Sequence, residues 1–185
     1  MNLLGNWNYP TSIRFGLGRI NELSEICQQV GIKKPLLVTD KGLSDLPITH
    51  KTLEIMKAKN LNPGFFSEVD PNPTETNLYA GVRQYIAGGH DGVVAFGGGS
   101  GLDLGKMVAL MSDQKKSIWD LEEFDEWGNQ ADASKIAPII AIPTTAGTGS
   151  EVGRASIITN SKTKTKKIIA HPKLLPSVVI CDPEL

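Results

Sequence analysis

Short continuous apolar runs alternate along this chain with segments whose apolar residues recur every third or fourth position. That alternation predicts strands interleaved with helices, an α/β fold rather than an all-α or all-β one. An extended stretch, Ser12–Phe15, opens the pattern and stops at Gly16 and Gly18. Ile20, Leu23, Ile26, Cys27 and Val30 follow at helical spacing, ended by Gly31. Leu36, Leu37 and Val38 lie in an apolar run that suits a buried parallel strand and ends at Asp40. Residues 48–59 predict a further helix, with Leu53 and Met56 turned inward.

A second unit repeats the plan. Gly64, Phe65 and Phe66 form a short strand, and Asp70-Pro71-Asn72-Pro73-Thr74 is a loop. Thr74 suits a helix N-cap with Asn77 three residues on, and the helix is expected to bury Leu78, Val82, Tyr85 and Ile86 before Gly88 and Gly89. A buried strand at 92–96 runs straight into Gly97-Gly98-Gly99-Ser100, and another helix continues through Met107, Leu110 and Met111. The acidic, aromatic stretch 118–133 reads as a surface excursion. Residues 136–142 form one more strand, ending at Pro143. Ile157, Ile158 and Thr159 on one side of Asn160-Ser161, and Lys167, Ile168 and Ile169 on the other, predict a hairpin on the edge of the sheet. Val178 to Cys181 is a last strand. The expected architecture is one Rossmann-like domain over residues 1–185. It has a doubly wound, mostly parallel sheet with helices on both faces, plus a β-hairpin near the C-terminal end.

Composition narrows the function classes. With 185 residues, 40% of them hydrophobic, the chain can build a packed core. A formal net charge of -1 at pH 7 argues against a nucleic-acid partner or an anionic membrane surface. No apolar run is long enough to span a bilayer, and Met1 to Tyr9 lack the features of a secretory signal, so a cytoplasmic location is the expectation. Cys27 and Cys181 are far apart and read as reduced, buried thiols. His50, His90 and His171 are scattered without ligand spacing, so no complete metal site is expected within the chain.

Three segments carry candidate chemistry. Glycines between a buried strand and a helix let an anion approach the backbone, and the N–H groups of the helix start favour negative charge there. A pyrophosphate suits Gly98, Gly99 and Ser100, while Ser100 could cap the helix and Asp103 pair with Lys106 along it. This is not the G-x-G-x-x-G fingerprint. Asp40, at the carboxyl end of a strand, could accept both hydrogen bonds of an adenosine ribose and repel a 2′-phosphate, although Lys41 stands beside it. Thr144, Thr145 and Thr148, in a polar loop with Gly147 and Gly149, could meet ribose, phosphate or the nicotinamide amide. Each segment alone is also compatible with an ordinary turn or cap.

In combination and in order, the segments resemble the iron-containing (group III) alcohol dehydrogenase family. The matching motifs are Val38-Thr39-Asp40-Lys41-Gly42, Pro71-Asn72-Pro73-Thr74, and Gly97-Gly98-Gly99-Ser100 through Asp103 and Lys106. They continue with Pro143-Thr144-Thr145-Ala146-Gly147-Thr148-Gly149-Ser150-Glu151, Leu174-Leu175-Pro176 and Asp182-Pro183-Glu184-Leu185. The resemblance implies hydride transfer between an alcohol carbon and NAD, with NADP possible, and a divalent metal, iron by family habit, that polarises the oxygen. It assigns pyrophosphate contacts to Gly98, Gly99 and Ser100, a ribose contact to Asp40 and a loop contact to Asn72. Asp103 joins that set, Thr144, Thr145 and Thr148 take the phosphate and nicotinamide-ribose side, and Lys166 is the hairpin lysine. Ala155 departs from the family, which can carry an asparagine there.

The family holds its metal in a helical second domain after the Asp-Pro-Glu-Leu segment, so this chain is expected to be the cofactor half and inactive alone. Neither His171 nor Asp182 matches a family ligand motif. Small alcohols or aldehydes are the implied substrates. Self-association through an uncovered apolar surface, and a homo-oligomer, are further expectations. Two other readings stay open. One is a sister enzyme of the glycerol dehydrogenase or dehydroquinate synthase type; the other is a standalone nucleotide-binding module without catalysis.

Overall fold

The computed structural model describes residues 11–122 and 131–185. Among them the chain forms strands β1 (Ser12–Phe15), β2 (Pro35–Asp40), β3 (Gly64–Val69), β4 (Gly92–Gly97), β5 (Ile139–Pro143), β6 (Ala155–Asn160), β7 (Thr165–Ala170) and β8 (Val178–Cys181). The α-helices are α1 (Leu23–Gln29), α2 (Pro47–Ala58), α3 (Glu75–Gly88) and α4 (Gly99–Met111). Six strands make one sheet in the order β1-β8-β5-β4-β2-β3, with every neighbouring pair parallel. The expected doubly wound sheet is therefore present.

Strand periodicity sorts the core into two layers. Leu36, Val38, Val93 and Ile139 face α3 and α4, where they join Leu78, Val82, Leu104, Met107 and Val108. Leu37, Val94, Phe96, Ile140 and Ile142 face α1 and α2 and meet Leu23, Ile26, Cys27 and Met56. The helices lie on opposite faces because both sides of these central strands are apolar. The chain passes from β2 to β3 on one side and returns across β2 to place β4 on the other. The strand order thus reverses between β2 and β4, and a crevice opens there at their carboxyl ends.

Four expectations need correction. The hairpin β6–β7 is a separate two-stranded antiparallel sheet, not an edge of the main one. Its buried residues Ser156, Ile158 and Ile169 alternate with the exposed Ile157 and Ile168. One face therefore seals onto the α3–α4 layer, with Ile158 and Ile169 in that core. Thr159 N–H donates to Pro73 O at 2.8 Å, and Glu75 accepts the Ser161 N–H at 3.0 Å, fastening the hairpin to the start of α3. Ile86 is 60% exposed, because α3 turns its Leu78–Val82–Tyr85 stripe inward and Ile86 lies off it. The stretch after residue 117 is not wholly a surface excursion, since Ile118 and Leu121 are buried in the α3–α4 core. Its residues 123–130, like the opening residues read for a secretory signal, lie outside the described residues. The fourth correction concerns Cys181, which is half-buried where full burial was expected; Cys27 is buried, and both thiols are free.

The capping of α3 follows its sequence. Asn77 Oδ1 accepts the Thr74 N–H at 2.9 Å, while Asn77 Nδ2 donates to Glu68 O and to Asp70 Oδ2, each at 2.8 Å. No helix among the described residues is long and apolar enough to cross a membrane.

Candidate functional site

At the crevice, β2 ends in Asp40 and β4 ends in the glycine turn. Gly97 has φ 131°, a conformation that side chains rarely adopt, and it reverses the chain into α4. Gly98 is the helix N-cap, so Ser100 does not cap α4 as expected; its Oγ lies 3.4 Å from the Asn72 N–H instead. The helix sits too close to the sheet for side chains at two further glycines. A Cβ on Gly101 would stand 2.8 Å from Phe96 O, and one on Gly105 would stand 2.5 Å from Ala95 Cβ. The first α4 bond runs from Leu102 N–H to Gly98 O at 3.0 Å. The amides of Gly99, Ser100 and Gly101 precede that bond and stay at the positive end of the helix dipole.

A cleft of about 440 Å³ opens in front of this turn, lined by Asn72, Gly99, Ser100, Asp103, Thr148, Lys166, Gly153, Ala155, Ile157 and Ile168 among others. Six of the sequence-selected residues therefore share one wall-to-wall space. The threonine loop closes against the glycines from the β5 side. Thr144 N–H donates to Gly97 O at 3.1 Å, and a Cβ on Gly99 would lie 3.0 Å from Thr148 Cγ2. A Cβ on Gly98 would lie 3.3 Å from Thr145 Oγ1. The protein itself thus fills part of the space the glycines leave open.

Thr144 and Thr145 line a second cleft of about 380 Å³, together with Phe15, Glu151, Cys181, Asp182 and Leu185. Phe15 is 75% exposed on its rim. Burial, reinforced by the Glu151 carboxylate, raises the pKa of the Cys181 thiol. Asp40 stands at neither cleft wall but between them and β3. Its Oδ1 accepts the Leu43 N–H at 3.1 Å, and its Oδ2 would lie 3.3 Å from a Cβ on Gly97. Of the two lysines on β7, Lys166 is exposed and reaches the first cleft, whereas Lys167 pairs with Glu122 at 2.7 Å.

Asp103 and Lys106 do more than pair along a helix. Lys106 is fully buried, and its Nζ donates to Ser150 O (2.9 Å), Gly153 O (3.2 Å) and Ala155 O. Asp103 Oδ1 is 3.7 Å from that ammonium and accepts from Ser150 Oγ, while Oδ2 accepts the Ile157 N–H at 3.0 Å. Burial pulls the Lys106 pKa down to about 8, opposed by the charges of Asp103 and Glu151. Both Asp103 oxygens are thus committed to the protein, and the pair fastens the far wall of the cleft to α4.

Other titratable groups are structural. Asp182 is buried and accepts backbone N–H bonds from Gly18 (3.1 Å), Ile20 (2.9 Å) and Glu184 (3.1 Å). Desolvation raises its pKa, but those three bonds, with the charge of Lys51, outweigh it and leave the carboxyl below the ordinary range. His171 Nδ1 accepts the Lys173 N–H at 3.0 Å. Among the described residues no group of three or more His, Cys, Asp or Glu could hold a metal ion.

Sequence reasoning missed Ser150, Gly153, Ile157 and Ile168 as cleft walls. Their signal was weak: Ile157 and Ile168 are register partners across a hairpin whose position relative to α4 only packing decides.

The family model of the iron-containing alcohol dehydrogenases matches residues 10–183. The chain is 38% identical to the 4-hydroxybutyrate dehydrogenase of Cupriavidus necator over 178 residues, which is 96% of this chain and 45% of that protein. A solved 1,3-propanediol oxidoreductase superposes with a TM-score of 0.85 at 34% identity, covering 97% of this chain and 46% of that one. The sulfoacetaldehyde reductase of Bifidobacterium kashiwanohense, solved in complex with NAD⁺, gives 0.84 at 34% identity over 99% of this chain and 47% of its own. The chain spans about half the length of the curated relatives it matches.

Proposed function

This chain belongs to the iron-containing alcohol dehydrogenase family, and from that membership we propose that it is the NAD-binding half of a metal-dependent alcohol dehydrogenase. One observation carries the proposal. The start of α4, at Gly99 and Ser100, opens into a cleft whose other walls include the Thr148 loop and the Lys166 hairpin, at the switch point of a parallel sheet.

In this reading the pyrophosphate lies on Gly98, Gly99 and Ser100, with Asn72 flanking it. Asp40 holds the adenosine ribose, Lys166 supplies a cation across the cleft, and Thr148 faces the phosphates. Thr144 and Thr145, on the second cleft, contact the nicotinamide side. Asp103 acts through the wall it holds. The cofactor, when bound, supplies the hydride acceptor for conversion of a small alcohol to an aldehyde or ketone. No described cluster could hold a metal, so this reading expects the metal's ligands to lie elsewhere and the chain alone to turn over no alcohol.

Calorimetric titration with NAD⁺ and, separately, NADP⁺ tests this. Binding of NAD⁺ with weaker NADP⁺ is expected. Failure to bind either would sink the reading of the cleft, and steady alcohol oxidation by the chain would sink the division of labour.

A further inference from the structure

Lys41 stands next to Asp40, yet its ammonium is turned away from the crevice. Asp40 pairs with Val69 in the β2–β3 register, so Lys41 and Asp70 are the next residues on the two neighbouring strand ends. Lys41 Nζ donates to Asp70 Oδ1 at 2.8 Å and lies 3.6 Å from Glu68 Oε2. The Asp40 carboxylate, in contrast, presents Oδ2 toward Gly97 on the β4 side. Two successive residues thus place opposite charges on opposite sides of β2.

The acceptor for Lys41 is held firmly. Asp70 Oδ2 accepts from Asn77 Nδ2, which also donates to Glu68 O while Asn77 Oδ1 serves the α3 cap, and the helix start favours a carboxylate at that point. Lys41 and Asp70 are each about half exposed, so the pair adds little to stability. Its consequence is positional. Two carboxylates, Glu68 and Asp70, face one ammonium and retain it on the β3 side, away from Asp40. A 2′-phosphate arriving at Asp40 would bring close to two further negative charges and find no cation released to meet it.

We propose that the Asp70–Lys41 ion pair is a determinant of cofactor selectivity: Asp70 sequesters Lys41 and thereby strengthens the preference for NAD⁺ over NADP⁺ beyond what Asp40 achieves. This rests on the reading of Asp40, at the carboxyl end of β2, as the adenosine-ribose contact. Asp70→Asn removes the charge and keeps an oxygen to accept from Asn77. Lys41→Met removes the cation.

Calorimetric titration of the chain with NAD⁺ and NADP⁺ is the test, run on the unsubstituted protein, Asp70→Asn, Lys41→Met and the double variant. Asp70→Asn should tighten NADP⁺ about fivefold while NAD⁺ stays within about twofold, and the double variant should lose that gain. NAD⁺ binding with an unchanged NADP⁺ to NAD⁺ ratio in Asp70→Asn would overturn the inference and leave the cleft reading intact. A gain that persists in the double variant would also overturn it, since Lys41 would then play no part. Absence of NAD⁺ binding in the unsubstituted chain would remove both together.

Discussion

The molecule holds two lysine–aspartate pairs whose distances and consequences run in opposite order. Lys41–Asp70, at 2.8 Å, joins side chains that are 55% and 50% exposed. Lys106–Asp103, at 3.7 Å, joins side chains that are 0% and 15% exposed. The shorter pair is screened by water and loses little when broken. The longer one lies where every donor and acceptor must find a protein partner, and its members also bind Ser150, Gly153, Ala155 and Ile157. Separation alone therefore does not rank ion pairs; burial and the number of additional partners do. The buried pair shapes the cleft, and the exposed pair lies outside its walls, on the β3 side of Asp40.

The largest effect is expected from breaking the buried pair. Lys106→Met leaves three carbonyls and the Asp103 carboxylate without their ammonium and should cost about 3–5 kcal/mol in urea unfolding. A loss under about 1 kcal/mol would mean that water or a shifted loop replaces the clamp. The same variant should alter the pH profile. The ordinary lysine pKa is 10.5 and the folded value about 8, so between these the unfolded chain binds more protons than the folded one. Unfolding free energy of the unsubstituted chain should therefore gain stability from this group as pH rises across that window, by roughly 1 kcal/mol per unit, and the methionine variant should lack that rise.

Asp182→Asn is the intermediate case, a buried charge with no cation in contact. The amide can still accept at one oxygen from Gly18 and Glu184, but its NH₂ group confronts the Ile20 N–H. A cost of about 1–3 kcal/mol is expected, with the link between the first loop and β8 loosened. Because the folded pKa is depressed, the contribution of Asp182 is present above the ordinary carboxylate range and is lost as pH falls through the folded value. Urea midpoints of the parent chain and the variant should therefore converge in acid. Parallel curves would show that the carboxylate charge contributes nothing.

These pairs also mark how far the sequence was legible. The strand–glycine–helix unit at 92–111 and the threonine loop could be read because backbone approach and helix-start amides demand small or polar residues locally. Asp103 and Lys106 could be read as one turn apart on a helix. Their inward direction could not. From Gly101 to Met111 all of α4 is buried except Asp103, so the helix lacks the polar face that would have told a surface pair from a buried one. Ile86, the Ser100 cap and the hairpin position were misjudged for a related reason. Each depends on which neighbouring element occupies a face, and one-dimensional periodicity carries no information about that neighbour. Lys41 could be placed beside Asp40 by sequence, but its turn toward Asp70 needs the β2–β3 register.

The smallest effect should come from Asp70→Asn, and its smallness is what makes the contrast decisive. Asp70 raises the Lys41 pKa and is itself lowered by Lys41 and Asn77, so the two charges sense each other. Both are nonetheless hydrated, and a flexible lysine gives up side-chain entropy to hold the contact. An asparagine keeps the Asn77 bond that orders the α3 start. Thermal melts should then move by less than about 1 °C, with no further change on adding salt. A fall of several degrees would place this pair with Lys106–Asp103 as part of the frame, and any change in NADP⁺ binding would then reflect a loosened loop. An unchanged melt alongside a changed cofactor ratio would separate the two roles cleanly: the buried pair builds the wall, and the exposed pair, contributing almost nothing to folding, remains free to set which cofactor the wall receives.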